Sequence, residues 1–458
     1  MQFELVIHNG TLVTAVDTFQ ADIGISAGVI AAIGQNLSGN ELLDASGKLV
    51  LPGAIDPHVH LEMPAGAITS SDDWETGTIA AACGGVTSVV DFIEPEPNQS
   101  LMQAYEARCA QADGRAVVDY GLHMTLSRAD QETLAQVPGI VAAGMPSFKM
   151  YTTYEGLRLN DEELLAAMLA VKAAGGIVMV HAENNAIIEH KKQEFIKAGQ
   201  NSPHFHPLSR PAAAEAEAIQ RALALAETSG VPIYIVHVST GRGAQAIKAA
   251  RERGQVAIGE TCPQYLVLTD AEYDRPGFEG AKFVCSPPLR KSSDNSALWN
   301  ALGQGDLQTV GTDHCPFMFK GQKDLGIEQF TKIPNGIPGI ETRLALLYSF
   351  GVSKGAVSLN QWVQLCCSTP ARIFGLYPQK GTLAVGSDAD LVIFDPQKKV
   401  TISHDMLHEH VDYTPYEGLE ACGYPEITIA GGRVLVRDGQ FVGPKGKGHF
   451  LIGKAPVL

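Results

Sequence analysis

Two histidines separated by one residue, His58 and His60, close an apolar run that begins at Gly53 and passes through Asp56 and Pro57. On a strand alternate side chains share a face, so this pair can offer two imidazoles to one cation, whereas a helix would turn them apart. The run follows Leu51-Pro52-Gly53, a turn signal that makes His60 the C-terminal end of a buried strand. An isolated pair of this kind also occurs as two ordinary strand histidines, so other residues must support a metal reading. Several do, each closing a different apolar run: Lys149 in Ser147-Phe148-Lys149-Met150-Tyr151, His181 after Val178-Met179-Val180, His237 after Ile235-Val236, and Asp313 after Val310-Gly311-Thr312.

Each of these has a plainer reading when taken alone. His181 and His237 can be core histidines with satisfied hydrogen bonds, and a lysine at a strand end can snorkel to water. Asp313 is harder to explain that way, because a buried carboxylate without a partner is costly and a cation would supply one. As an ammonium, Lys149 brings no lone pair. Burial beside cations lowers a lysine pKa, however, and the free amine can add carbon dioxide. The resulting carbamate is anionic, has two oxygens and can bridge two metals.

Such residues meet only if the strands that end in them lie side by side. From about residue 53 to residue 378 apolar β-branched runs alternate with Ala-rich helical segments, the pattern of βα units around a parallel sheet. Eight strands are expected, at 54–60, 86–93, 118–125, 147–151, 177–182, 233–239, 256–260 and 309–313, with helices over 161–174, 212–228 and 242–253. This predicts an α/β fold, a closed (β/α)8 barrel of the TIM type, whose active site lies at the C-terminal ends of the strands. Residues 1–52 and 379–442 read instead as short strands broken by Gly, Asp and Pro, with Asn9-Gly10 as a hairpin signal. Neither end has enough strands to cover an apolar face, so together they are expected to form one smaller β-sandwich domain. Residues 443–458 remain as a C-terminal tail, a candidate oligomer contact.

With 34 basic and 50 acidic residues the net charge is −16, which argues against nucleic acid as a partner and suits a small neutral substrate. Eight cysteines without CxxC spacing, and no apolar run long enough to cross a membrane, point to buried thiols in a cytoplasmic protein.

The ordered set Asp56-Pro57-His58-Val59-His60, Ser147-Phe148-Lys149, Val180-His181-Ala182-Glu183-Asn184, Val236-His237-Val238-Ser239, Ser286-Pro287-Pro288-Leu289-Arg290, Gly311-Thr312-Asp313-His314-Cys315-Pro316-Phe317 and Pro334-Asn335-Gly336-Ile337-Pro338 resembles the cyclic amidohydrolases, most closely the dihydropyrimidinase and hydantoinase family. The resemblance spans nearly the whole chain and includes Lys380-Gly381-Thr382-Leu383 through Asp390-Leu391. It implies two divalent metal ions, with His58, His60 and Asp313 on the first, His181 and His237 on the second, and carboxylated Lys149 between them. Zinc suits this mixed shell best, and manganese or cobalt is also compatible. Tyr154 would hydrogen-bond the developing oxyanion, and Ser286 and Asn335 would grip the cyclic amide through backbone groups. On residue type alone these three also read as a packed aromatic, a turn residue and a cap.

The implied reaction is hydrolysis of hydantoins or 5,6-dihydropyrimidines to N-carbamoyl amino acids by a metal-bridging hydroxide, with Asp313 as general base and then general acid. The stretch around Asp313 and Asn335 looks less like allantoinases or dihydroorotases. An allantoinase-like hydrolase is the alternative, and a non-catalytic scaffold on the same fold is disfavoured by the intact ligand set. Ring-substituent preference is expected to rest on the loops at 61–66 and 151–158, where Leu157 and Arg158 stand in place of common aromatics. Kinship also implies a homotetramer, with a homodimer as the lesser assembly.

Overall fold

The computed structural model describes residues 2–457. Eight parallel strands follow one another around a barrel in chain order: Ala54–Val59, Val86–Ile93, Asp119–Thr125, Ser147–Tyr151, Ile177–His181, Ile233–Ile235, Ala257–Thr261 and Thr309–Val310. Past the last strand, His60 N donates to His314 O at 2.8 Å and Asp313 N donates to His58 O at 2.9 Å, which draws the eighth unit against the first. Every residue of these strands except Asp119 is buried, as expected for a parallel sheet covered by helices. The inward-facing Ile55, Ile177, Met179, Tyr234 and Ile258 form a core of their own with Phe374 and Leu451. The helices at Asp161–Ala173, Ala212–Ser229 and Gly241–Glu252 agree with the sequence reading to within a residue at each end.

Two strands are shorter than expected. The sixth stops at Ile235 and the eighth at Val310, because His237 and Asp313 take left-handed backbone conformations, with φ of 39° and 54°. These two residues therefore sit on turns just beyond the strands.

The chain ends build a nine-stranded sheet. Its halves join where Leu49–Pro52 pairs antiparallel with Leu391–Thr401, and Leu5, Ile7, Leu12, Ile23, Leu391 and Ile429 share a separate core. Asn9-Gly10 is not a hairpin. Gln2–Val13 is one continuous strand with a bulge at this point, where Asn9 adopts φ 59° and its N–H donates to Asp22. Gly10 is needed for close packing, since a Cβ there would lie 2.4 Å from Val50 Cγ2.

Lys380 fastens this sheet to the barrel. Its buried ammonium meets Asp119 at 2.5 Å, Asp390 at 2.7 Å and Asp388 at 2.9 Å. Replacing it by methionine would leave three carboxylates without a counter-charge. Lys380→Met is expected to cost about 3–5 kcal/mol of stability, measured by denaturant unfolding. The tail crosses the N-terminal end of its own barrel, where Leu451 joins the inner core: Leu451 N donates to Tyr120 O at 2.7 Å and Gly453 N to Gly144 O at 2.9 Å. Among the described residues no helix is long and apolar enough to cross a membrane.

Candidate active site

The strand ends bring the expected residues to one rim. His58 and His60 share a face with ring centroids 5.2 Å apart, and His58 lies 5.4 Å from His237. The Nε2 atoms of His58 and His60 each sit 3.1 Å from Asp313 Oδ1. His181 Nδ1 lies 2.9 Å from His237 Nε2. Lys149 is buried between these groups, its Nζ 4.5 Å from the centre of the Phe92 ring, with no carboxylate in ion-pair range among the described residues.

Partners further out decide which ring nitrogens are free. His58 Nδ1 meets Glu260 Oε1 at 2.7 Å, and that oxygen also accepts from His237 N at 3.0 Å. His181 Nε2 meets Glu183 Oε2 at 2.9 Å, and the same carboxylate is paired with the buried guanidinium of Arg210. With the proton of each imidazole directed at its carboxylate, His58 Nε2 and His181 Nδ1 turn lone pairs inward. His60 Nδ1 and His237 Nδ1 are buried without any hydrogen-bond partner. The His58 lone pair would face the Asp313 carboxylate and repel it unless a cation lay between them, so the donor set fits divalent metal.

The local charges agree. Burial opposes ionisation of Asp313, but charge at His58 and N–H donors from His58 and His60 would hold the carboxyl well below its usual range, a role cations take over when those nitrogens present lone pairs. Burial and the neighbouring His181 hold His237 far below the ordinary imidazole value, so it is neutral and able to ligate. Burial lowers Lys149 to about 8, which leaves free amine available to carbon dioxide near neutral pH. Burial raises Tyr154 despite the opposing Arg210, so its phenol keeps its proton and remains a donor.

Tyr154, Ser286 and Asn335 line the same cavity, of about 520 Å³. Tyr154 sits at φ 76° with Arg210 5.4 Å from its ring centre. Arg210 and the backbone turn together aim the phenol toward His181, 5.2 Å away between ring centres. Ser286 Oγ is buried without a partner. The outer wall is apolar, formed by Met63, Ile68, Leu157, Phe317, Leu325 and Ile333. Leu157 thus belongs to the cavity, while Arg158 is exposed and outside its lining.

Glu260, Glu183 and Arg210 support the site without having been singled out from sequence. The two glutamates did leave a signal, as charges just after apolar strand runs. At Gly311 a Cβ would lie 2.6 Å from Glu260 Oε2 and 2.9 Å from His58 Cβ, so only glycine admits this approach. Lys323 left no signal, because Lys320-Gly321-Gln322-Lys323-Asp324 reads as solvated loop. It is nonetheless fully buried and donates to Val284 O at 2.8 Å, Pro334 O at 2.9 Å and Gly336 O at 2.7 Å, tying the Ser286 turn to the Asn335 turn.

A barrel with histidines, a lysine and an aspartate gathered at its C-terminal rim defines a class of hydrolase scaffold, and the comparisons place it. Residues 49–435 match the amidohydrolase family. The chain is 46% identical over 450 residues to D-hydantoinase of Geobacillus stearothermophilus, covering 97% of this chain and 96% of that protein. It is 42% identical over 458 residues to D-hydantoinase of Streptomyces coelicolor, covering 98% of each. The crystal structure of dihydropyrimidinase from Brevibacillus agri superposes with a TM-score of 0.98 at 45% identity, covering 99% of both chains. The chain belongs to the amidohydrolase family, in its hydantoinase and dihydropyrimidinase branch.

Proposed function

We propose that this protein hydrolyses the cyclic amide bond of hydantoins or 5,6-dihydropyrimidines to N-carbamoyl amino acids, using two divalent metal ions. The observation that carries the reading is the convergence of His58, His60 and Asp313, whose ligand atoms all lie within 4.8 Å of one another, beside the facing His181 and His237. His58, His60 and Asp313 would hold one metal, His181 and His237 the other, and Lys149 as N6-carboxylysine both; zinc is the best match to these donors. When bound, the pair supplies Lewis acidity that brings water toward hydroxide at neutral pH.

The chain's own residues do the rest. The Asp313 carboxylate takes the proton of the attacking water and returns it to the departing ring nitrogen. Tyr154 donates to the carbonyl oxygen as it gains charge. The turns at Ser286 and Asn335 orient the ring through backbone groups, and the apolar wall excludes water from it.

A rate comparison of dihydrouracil, hydantoin, 5-substituted hydantoins and allantoin on metal-loaded protein tests this reading. Ring opening of the first three with about two metals per chain supports it; turnover of allantoin alone, or none, contradicts it. Lys323→Met is expected to raise KM about tenfold with kcat and metal content little changed, because it frees the two turns without touching the ligands. Steady-state kinetics with a Lys323→Arg control, which keeps the donors, would show this. Kinship further favours a cytoplasmic homotetramer, which sedimentation would test.

A further inference from the structure

One charged group in the cavity wall has no task in the reaction above. Glu94 directly follows the second barrel strand, Val86–Ile93, and lines the cavity beside the metal-binding cluster. Glu94-Pro95-Glu96-Pro97 stiffens its backbone, since a residue before proline is confined to extended conformations. Its Oε1 accepts from the Tyr151 hydroxyl at 3.4 Å, long for a bond between oxygens. Among the described residues it has no ion-pair partner, and its other oxygen has no hydrogen bond. Burial raises its carboxyl above the usual value, and the neighbouring Lys149 only partly opposes this. Glu94 thus faces a cavity whose outer wall is apolar. Among the described residues, the only other charged side chain in the lining outside the metal-binding cluster is Lys332, which is exposed at the mouth.

We infer that Glu94 makes this cavity select cyclic amides whose ring substituent carries a cationic nitrogen, such as aminoalkyl hydantoins, with the ammonium donating to the Glu94 carboxylate. A carboxylate set in an apolar wall is costly unless paired, and a basic substituent supplies the partner that the protein does not. The flexible stem of such a substituent would cover the apolar residues around it, so one arm satisfies both parts of the wall.

This inference rests on the hydantoinase reading, and the experiment separates the two. The zinc-loaded wild type, Glu94→Gln and Glu94→Leu are compared by kcat/KM on two hydantoins of matched length, one with an aminobutyl and one with a pentyl substituent. Metal content is measured alongside. The wild type should favour the aminobutyl compound by about tenfold, the size of one charge-assisted hydrogen bond. Glu94→Gln should lower that ratio several-fold, and Glu94→Leu should invert it. The same ratio in all three proteins at equal metal content overturns the inference while leaving the hydrolase reading intact. Loss of metal in both variants also overturns it, since Glu94 would then serve the metal centre. A wild type that opens neither ring removes both readings.

Discussion

Lys149→Ala is expected to lose the metal pair and hydrolysis together. In the wild type the side chain reaches from the fourth strand into the space bounded by His58, Phe92, Tyr151 and His237, where no carboxylate among the described residues lies within ion-pair distance. As an ammonium it would repel cations held by the surrounding imidazoles; as a carbamate it would join them. Alanine removes both oxygens of that bridge, so metal content should fall from about two per chain toward one, and turnover should fall by ~10³-fold or more. A second measurement addresses the carbamate directly: metal-free protein reloaded with zinc in buffer stripped of carbon dioxide should take up metal poorly until bicarbonate is added. Full activity and two bound metals in the alanine variant would contradict the bridging role.

Asp313→Asn is expected to give the other large effect. The carboxylate stands 3.1 Å from both His58 Nε2 and His60 Nε2, close enough to ligate, and it is ionised despite its burial. Asparagine keeps the shape and one oxygen but cannot carry a proton from water to a leaving nitrogen. General acid-base catalysis is worth ~10²–10⁴-fold, so kcat should drop by that amount while KM changes much less. The pH profile provides a second readout, because the limb assigned to this carboxylate should disappear. A variant within tenfold of wild type at equal metal content would transfer the proton-carrying role to another group.

The strand-ending residues were legible because they obey a simple rule: a polar side chain that closes an apolar run lies at the rim of a parallel barrel. His58, His60, Lys149, His181, His237 and Asp313 all followed it. Strand lengths were less legible, since the left-handed turns at His237 and Asp313 occur in residues that carry no glycine-like signal. At Asn9-Gly10 the local turn signal was overruled by tertiary packing: the glycine makes room for Val50, and the asparagine is held by Asp22 and Asp44. Arg210 and Lys323 were invisible for another reason. Their importance comes from burial against segments distant in the chain, Glu183 for one and the Val284 and Gly336 carbonyls for the other, and nothing adjacent to them marks it.

The joining of Leu49–Pro52 to Leu391–Thr401 has a consequence for how the molecule is made. During synthesis the opening strands pair with one another as they emerge, but the edge of Leu49–Pro52 that meets Leu391–Thr401 must wait through production of the entire barrel. The last turns of the chain, which lay Leu451 against Tyr120, arrive later still. The sheet is thus closed only once the whole barrel has been made.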